Sequence, residues 1–538
     1  MIASFLYCCV YGYLIFVPGW LITRLLDLRR GRFLLALALS YALLILNLIP
    51  MEWLRAPLWV FFLASNLQVI ILLAANLIME YRWRGRVRSR SEPRTPRQSG
   101  AATAQLVRSL LAHWWPPLLI VLGVFVYLAW AGPYMELPSD PWQHVGRFLQ
   151  AQTSCIDSGH FEPINLRGGA AGELKQSLSR QGCHWYIVHA LICKTSGLAI
   201  VDSVLPLTVA NTIVFCLAIY WFAMFLWARQ RIARCRKIQA SLWAVGFTVL
   251  WLGVNIFAYV RYYALAPAIL NYVVYLAAVV LMLDYFRSRS WWSHALWIVP
   301  LLVMVMNVIH TQEAAFAFFM GIGMLIVIEG QWVWGGWRRR KHRTSNIEHR
   351  TSNIEHPTPN VECRKIMEVS ILPAGNMLKI HIFAVVGLGL FGLLFYYSLN
   401  KPMAGYSAFL LRPLFHGEWL GQKWFIQPPA EQFFQVLTCW GVFVYALFLI
   451  YAGSFRRQPF ILAGMLMPLL IVFNPVTLLI LSRWISDLNA IYRFNYMIPL
   501  PFVAGFLAMR FWKEMRSWRK PALKTGKTCA CNQDSLGI

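Results

Sequence analysis

Charged residues are scarce in this sequence. Only 13% of its 538 residues are Asp, Glu, Lys or Arg, whereas 59% are hydrophobic, and the mean hydropathy is +0.54. Soluble globular proteins carry about 25% charged residues, so the composition excludes that class. The apolar runs also lack the alternation of polar and apolar residues that is typical of a membrane β-barrel. What the sequence has instead is a series of long apolar segments.

Thirteen segments approach the length of about 20 apolar residues that crosses a bilayer as a helix. They predict an all-α, polytopic transmembrane protein with about 13 transmembrane helices. The segments lie near 4–23, 33–50, 57–79, 113–132, 201–227, 239–258, 265–285, 293–309, 313–334, 379–398, 433–453, 459–482 and 494–512.

The charge is strongly unbalanced, with 49 Lys and Arg against 22 Asp and Glu. If the helices simply alternate in direction, about 37 of the 49 basic residues fall on one side of the membrane. Basic residues collect on the cytoplasmic side of membrane proteins, so the excess sets topology and does not indicate a nucleic-acid partner. We therefore expect a multi-pass protein of the cell membrane, with its N-terminus extracytoplasmic and its C-terminus cytoplasmic.

The N-terminus lacks the basic start and the small-residue cleavage site of a signal peptide, so we expect it to remain as a helix. The repeat at 343–356 lacks the apolar seam of a coiled coil. The predicted organisation is a three-helix membrane segment at 1–80, a basic disordered linker at 81–112, a main membrane domain at 113–512 and a basic cytoplasmic tail at 513–538. The main membrane domain includes an outer loop at 133–200 and a low-complexity cytoplasmic insert at 335–378.

A polar stretch, ELPSDPWQHVGRFLQ, follows the fourth apolar segment. Asp140 before Pro141 is typical of a helix start, with Asp as N-cap and Pro at the first helical position. Val145, Phe148 and Leu149 then fall on one face, which predicts a short amphipathic helix at 141–152 on the membrane surface. Asp140 either caps this helix only or also takes part in chemistry.

A second surface helix is predicted at 184–198, where the aromatic and histidine side chains of HWYIVHALICKTSGL suit the membrane interface. With the SGHF stretch at 158–161 and the Asn-containing helix VANTIVFCLAIYWF, this order resembles the GT-C superfamily of membrane glycosyltransferases. The resemblance covers about 113–512 and leaves 1–80 as an additional helical group. One departure is Pro141, at the position where many members have Glu.

The resemblance implies a transferase that moves a sugar from a polyprenyl-phosphate carrier to an acceptor hydroxyl outside the cytoplasm. The acceptor is a glycan, a lipid or a protein, and membrane lipids surround the site. Asp140 is then the general base of an inverting attack. His144, one helical turn later, is a candidate for substrate binding or for positioning Asp140, or else an interfacial histidine without a role.

A lipid phosphate needs fixed cations, and arginine binds phosphate oxygens in a bidentate manner. Three arginines lie at predicted outer helix ends: Arg493, which is the first choice, Arg261 and Arg483. The alternative for Arg493 is an ion pair with Asp487, or a side chain that extends to the interface.

His310 and Glu313 flank a tight polar turn between two apolar segments. They either satisfy that turn, bind the sugar, or ligate a divalent cation such as Mg²⁺ or Mn²⁺ together with Asp140. Trp142 is a candidate for stacking on a sugar, although anchoring at the interface is the usual role of such a residue.

Two other functions remain open. A polymerase or ligase of lipid-linked glycans would have similar polar outer loops, but with a larger late loop than the one at 399–432. A transporter or flippase would place charges near the middle of broken helices and often shows internal repeats, which the apolar segments do not display.

Overall fold

The architecture comes from a computed structural model of the whole chain. The structure describes residues 2–88, 99–131, 140–160, 183–228, 230, 232–251, 264–288, 292–350, 374–400, 415–419, 422–426, 429–467, 470–471, 474, 476–477, 480, 494 and 496–518.

The described part is helical apart from one antiparallel hairpin, in which Phe415 pairs with Ile426 and Trp419 with Gln422. The helices are α1 (Ile2–Leu25), α2 (Arg32–Trp53), α3 (Leu58–Arg88), α4 (Ser99–Ala131), α5 (Asp140–Ala151), α6 (Cys183–Ser196), α7 (Ile200–Trp227), α8 (Arg234–Trp251), α9 (Pro267–Arg287), α10 (Ala295–Ile309), α11 (Thr311–Arg350), α12 (Ala374–Asn400), α13 (Pro429–Tyr451), α14 (Pro459–Met467) and α15 (Leu500–Trp518), with strands β1 (Phe415–Trp419) and β2 (Gln422–Ile426) between α12 and α13.

Each of the thirteen predicted apolar segments overlaps one of these helices, which confirms a helical protein with apolar helices suited to a membrane. Within the described residues, six helices are long and apolar enough to cross a bilayer: α1, α2, α3, α7, α9 and α11. Shorter apolar helical stretches lie at 114–130, 295–309, 378–390 and 440–455. The count of thirteen crossings therefore stays a prediction.

Two predicted irregular regions contain helix. α3 continues to Arg88 and α4 begins at Ser99, both inside the predicted linker, whose centre at 89–98 lies outside the described residues. Likewise α11 continues to Arg350, into the predicted insert. Helical hydrogen bonding propagates at little cost once a long apolar helix has nucleated, so it carries on past the apolar boundary that the sequence shows.

α1 and α2 pack unusually closely at Gly19. The Gly19 amide donates a 2.6 Å hydrogen bond to Ser40 Oγ. A Cβ at this position would lie 1.9 Å from the Ala36 carbonyl oxygen, which is a backbone atom. Only glycine therefore permits this approach of the two helices.

At one end of the bundle, basic residues tie separate helices together. Arg30, between α1 and α2, forms an ion pair with Asp284 at the end of α9, with an N–O distance of 2.5 Å. The Lys379 ammonium, near the start of α12, donates to the carbonyl oxygens of Tyr285 and Ser288 at 2.7 and 2.8 Å. A cation suits the negative carboxyl end of α9, so these contacts fix the ends of α9 and α12 together.

At the opposite end, α2 and the turn before α3 meet the segment predicted as an outer loop. His184 Nε2 of α6 lies 3.1 Å from Glu52 Oε2 of α2, and both side chains are buried. Pro57 forms an isolated β-bridge with His160. The N-terminal helices are thus packed into the bundle and do not form a separate appendage to it.

Candidate functional site

The predicted helix after the fourth apolar segment is present as α5, which begins at Asp140. Its buried face consists of His144, Val145, Phe148 and Ala151. Leu149, predicted on that face, is 42% exposed, because the contact with α6 centres on the row that contains 144, 148 and 151. A short π-helical turn at Gln152–Ile156 follows.

α6 differs from its predicted position at the membrane interface. Trp185, Tyr186 and His189 are all essentially unexposed. The reason is that α6 packs against α1, α2, α5 and α7 at the same time. Trp185 Nε1 donates to the Leu265 carbonyl oxygen at 3.3 Å, so this indole is part of the core and is not available to a sugar.

His144 lies in a polar contact between α5 and α6. Its Nδ1 is 2.7 Å from the Tyr186 hydroxyl oxygen, and Arg147 Nη1 donates to the same oxygen at 3.1 Å. The Tyr186 hydroxyl thus accepts from Arg147 and shares a hydrogen bond with the His144 imidazole.

Burial, followed by the charges of Arg147 and His310, lowers the pKa of His144 to about 3. Burial also lowers the pKa of His189 to about 3. Both imidazoles are therefore neutral throughout the physiological range, and His144 serves the site as a hydrogen-bonding group, not as a cation.

These two pKa values predict a loss of stability in acid. The unfolded chain takes up protons at an ordinary histidine pKa of about 6.5, so it binds more protons than the folded chain as the pH falls from about 6.5 towards 3. At pH 5, each buried histidine should lower the free energy of unfolding by on the order of 1–2 kcal/mol. The measurement is the thermal unfolding midpoint in detergent between pH 4.5 and 7.5. The midpoint of the His144→Gln protein should depend less on pH than that of the wild type.

The matched control for that measurement is the exposed His160, whose replacement by Gln should leave the profile unchanged. Parallel pH profiles for the wild type and the His144→Gln protein would show that His144 is not buried as a neutral group.

A second polar cluster lies where α10 ends and α11 begins. Glu313 Oε2 is 2.7 Å from His310 Nδ1 and accepts a 2.9 Å hydrogen bond from Asn271 Nδ2 of α9. Asn271 Nδ2 also donates to the His310 carbonyl oxygen at 3.0 Å. The Glu313 side chain is only 1% exposed, whereas that of His310 is 23% exposed. A buried carboxylate therefore orients a partly accessible imidazole.

The two clusters are neighbours. His310 is close enough to His144 for its charge to contribute to the lowered pKa of His144. Tyr41 of α2 interacts electrostatically with both Tyr186 and Glu313. The structure thus bonds His310 directly to Glu313 and places His310 within electrostatic range of His144, and residue 140 begins the same helix as His144, one turn earlier.

Several predicted site residues cannot be placed in this way. Arg261, Arg483 and Arg493 lie outside the described residues. The backbone of α5 includes positions 140 and 142, whereas the side chains of Asp140 and Trp142 lie outside the described part.

Sequence inspection missed three residues of this site. Arg147 and Tyr186 complete the contact of His144, and Asn271 holds Glu313. Arg147 is half-buried and, among the side chains that the structure describes, forms no ion pair with a carboxylate. Its position seven residues after Asp140, two helical turns along α5, was the available signal. Asn271 gave no signal, because a single Asn in an apolar helix is usually a packing residue.

Among the described residues, no group of three or more His, Cys, Asp or Glu side chains has the geometry of a metal site. The metal set predicted from His310, Glu313 and Asp140 stays a prediction, because the Asp140 side chain lies outside the described part. No family model, curated protein or solved structure matches this chain.

Proposed function

We propose that this chain is a membrane glycosyltransferase that moves a sugar from a polyprenyl-phosphate carrier to an acceptor hydroxyl at the extracytoplasmic face. One observation carries the proposal: α5, which begins at Asp140, holds His144 within electrostatic range of His310, whose ring is bound by Glu313. Two short helices near a polar cluster in which His310 is partly accessible suit a site that receives a lipid-linked substrate from the bilayer.

In the proposed reaction, the Asp140 carboxylate accepts the proton of the acceptor hydroxyl. The acceptor oxygen attacks the anomeric carbon as the bond from that carbon to the phosphate oxygen breaks, with inversion. The bonding electrons leave on the polyprenyl phosphate. A positioned carboxylate contributes about 10²–10⁴-fold to such a step.

Sugar hydroxyls need directed hydrogen bonds, which His144 and His310 are suited to provide. The neutral His144 imidazole has one N–H donor and one acceptor nitrogen, and the His310 ring is fixed through its Nδ1 by Glu313. Trp142 remains a proposed stacking residue. A divalent cation, Mg²⁺ or Mn²⁺, would supply charge neutralisation at the departing phosphate if the protein binds one, and no step above depends on it.

The departing phosphate requires a cation that is not neutralised by a carboxylate. Arg493, Arg261 and Arg483 remain proposed ligands, and Arg147 is added as the described guanidinium closest in sequence to Asp140. The proposed orientation places the end that holds α5 and α6 outside the cytoplasm, with the N-terminus outside and the C-terminus inside, in line with the positive-inside rule.

Arg147→Gln should raise the KM for the lipid donor about tenfold, since a hydrogen bond to a charged group contributes roughly 1.5–3 kcal/mol. The kcat should fall less than the KM rises if Arg147 binds the phosphate in the ground state. Initial rates at varied donor concentration measure both constants. Arg147→Lys should recover part of the affinity for the lipid donor. An unchanged KM for Arg147→Gln would show that Arg147 does not bind the phosphate, which would then be assigned to the other three arginines.

The direct test of function uses purified protein in vesicles with a panel of radiolabelled polyprenyl-phosphate sugars and membrane-derived acceptors. We expect one donor to lose its sugar to an acceptor with release of polyprenyl phosphate. Extension of an already lipid-linked glycan would instead indicate a polymerase or ligase. Movement of intact donor between leaflets without sugar transfer would indicate a flippase and would reject the proposal.

A further inference from the structure

A cavity of about 660 Å³ lies between α4 and the first two-thirds of α8. Its walls are almost entirely apolar, and they include Trp115 of α4 with Ile238, Leu242 and Trp243 of α8. Both tryptophans are more than 40% exposed. We call this cavity the α4–α8 groove, and its size is within the range of small-molecule sites in proteins.

The groove exists because its two walls are held by other helices. On its far side α8 is fixed to α15, where a Cβ at Gly505 would lie only 2.5 Å from the Ala240 carbonyl oxygen. α4 packs mainly against α7. Neither helix can therefore move to close the gap without losing its main contact, and the apolar walls stay open towards the surroundings of the bundle.

The end of the groove at the start of α8 carries a basic residue. Arg234 lines the groove at the first residue of α8. The segment RQRIARCRK at 229–237 holds five basic residues and no acidic one. The amino terminus of a helix also carries partial positive charge and attracts phosphate groups. An apolar groove that ends at Arg234, within a basic stretch of the sequence, matches a ligand with a hydrocarbon chain and an anionic head.

We propose that the α4–α8 groove binds an anionic glycerophospholipid of the surrounding bilayer. One acyl chain fills the apolar walls, and the headgroup phosphate lies at Arg234 and the start of α8. Clusters of Lys and Arg next to a membrane helix are typical of binding to anionic lipids, at about 1 kcal/mol per basic residue. The headgroup site is at the amino-terminal end of α8. The proposal is independent of the proposed transferase activity.

The test uses the full-length protein in nanodiscs that contain phosphatidylglycerol or phosphatidylcholine with a diazirine in one acyl chain. After irradiation, mass spectrometry compares lipid attached to peptides of α8 with lipid attached to α10, where Trp297 provides an exposed reference surface. We expect phosphatidylglycerol to label α8 at least about fivefold more than phosphatidylcholine, the factor that corresponds to about 1 kcal/mol.

Two variants separate the chain from the headgroup. Gly246→Trp should abolish labelling of α8 by both lipids, because this glycine lines the groove and a side chain there enters open space. Arg234→Gln should reduce phosphatidylglycerol labelling to the phosphatidylcholine level. The exposed Arg457 supplies the matched control, and Arg457→Gln should change neither value.

Equal labelling of α8 by the two lipids, or full labelling of the Gly246→Trp protein, would overturn the proposal. Cys235 lines the groove and is exposed with a free thiol. Oxidative crosslinking of two chains through Cys235 would show that a second copy occupies the groove, which would also overturn it. Retained lipid preference in Arg234→Gln would reject the headgroup assignment.

Discussion

Asp140→Asn should reduce sugar transfer by about 10²–10⁴-fold, the usual contribution of a general base. The amide cannot accept the proton of the acceptor hydroxyl, yet it keeps the size and the helix-capping ability of the carboxylate. The fold should therefore be retained, since Asn and Asp are equivalent at a helix start. The measurement is the rate of transfer at saturating donor and acceptor, together with the thermal unfolding midpoint of the purified protein.

Asp157 provides the control for this substitution. It is an exposed carboxylate just after the π-helical turn that continues α5. Asp157→Asn should retain full transfer activity, which separates the role of Asp140 from a general loss of negative charge at this end of the bundle. If the Asp140→Asn protein folds normally and transfers sugar at the wild-type rate, Asp140 only caps its helix and the base must be sought elsewhere.

Gly19→Leu should be the most destabilising single change in the N-terminal helices. The new side chain would meet the Ala36 carbonyl oxygen and the Ser40 amide of α2, and backbone atoms cannot move away as a side chain does. Overpacking commonly costs about 1–3 kcal/mol, and a clash with backbone belongs at the upper end. Thermal unfolding in detergent, followed by intrinsic fluorescence, should show a clear fall in the midpoint.

The effect should extend to the candidate site. α1 also carries Tyr7, whose hydroxyl is 2.8 Å from His189 Nδ1, and Tyr11, which donates to Asn211. Displacing α1 would leave buried polar groups of α6 and α7 without their hydrogen-bond partners. Each such loss lowers the free energy of unfolding by about 1–3 kcal/mol.

Gly12 lies two turns earlier in α1 and gives a matched control, because a Cβ there would meet no atom within 4 Å. Gly12→Leu should leave the unfolding midpoint nearly unchanged. Equal midpoints for the two variants would show that α1 and α2 do not approach each other at Gly19.

The helices of this protein could be predicted from local sequence alone. A run of about 20 apolar residues has few alternatives to a helix in a bilayer, because every backbone hydrogen bond must be made within the segment. The start of α5 was equally predictable, since Asp before Pro satisfies the free amide groups of a first turn. Helix ends were less predictable, as α11 shows by continuing to Arg350.

The surroundings of the site residues were not predictable in this way. Trp185 and His189 have the residue types of an interfacial helix, and burial of their ring atoms depends on packing partners that include α1 and α2, which are distant in sequence. Arg147 and Asn271 likewise gain their roles only from the partners Tyr186 and Glu313. The role of a polar side chain depends on the groups that neutralise or orient it. When those groups lie on other helices, sequence spacing does not reveal them.

The sequence by itself determined that this is a helical protein with apolar helices suited to a membrane, and it determined where α5 begins. Tertiary structure decided that α1 and α2 are part of the same bundle, that His144 is buried as a neutral group bonded to Tyr186, and that a groove remains between α4 and α8. The physical reason is that helix formation depends on hydrogen bonds between near neighbours in the chain, whereas burial, pKa and open space depend on which helices pack together.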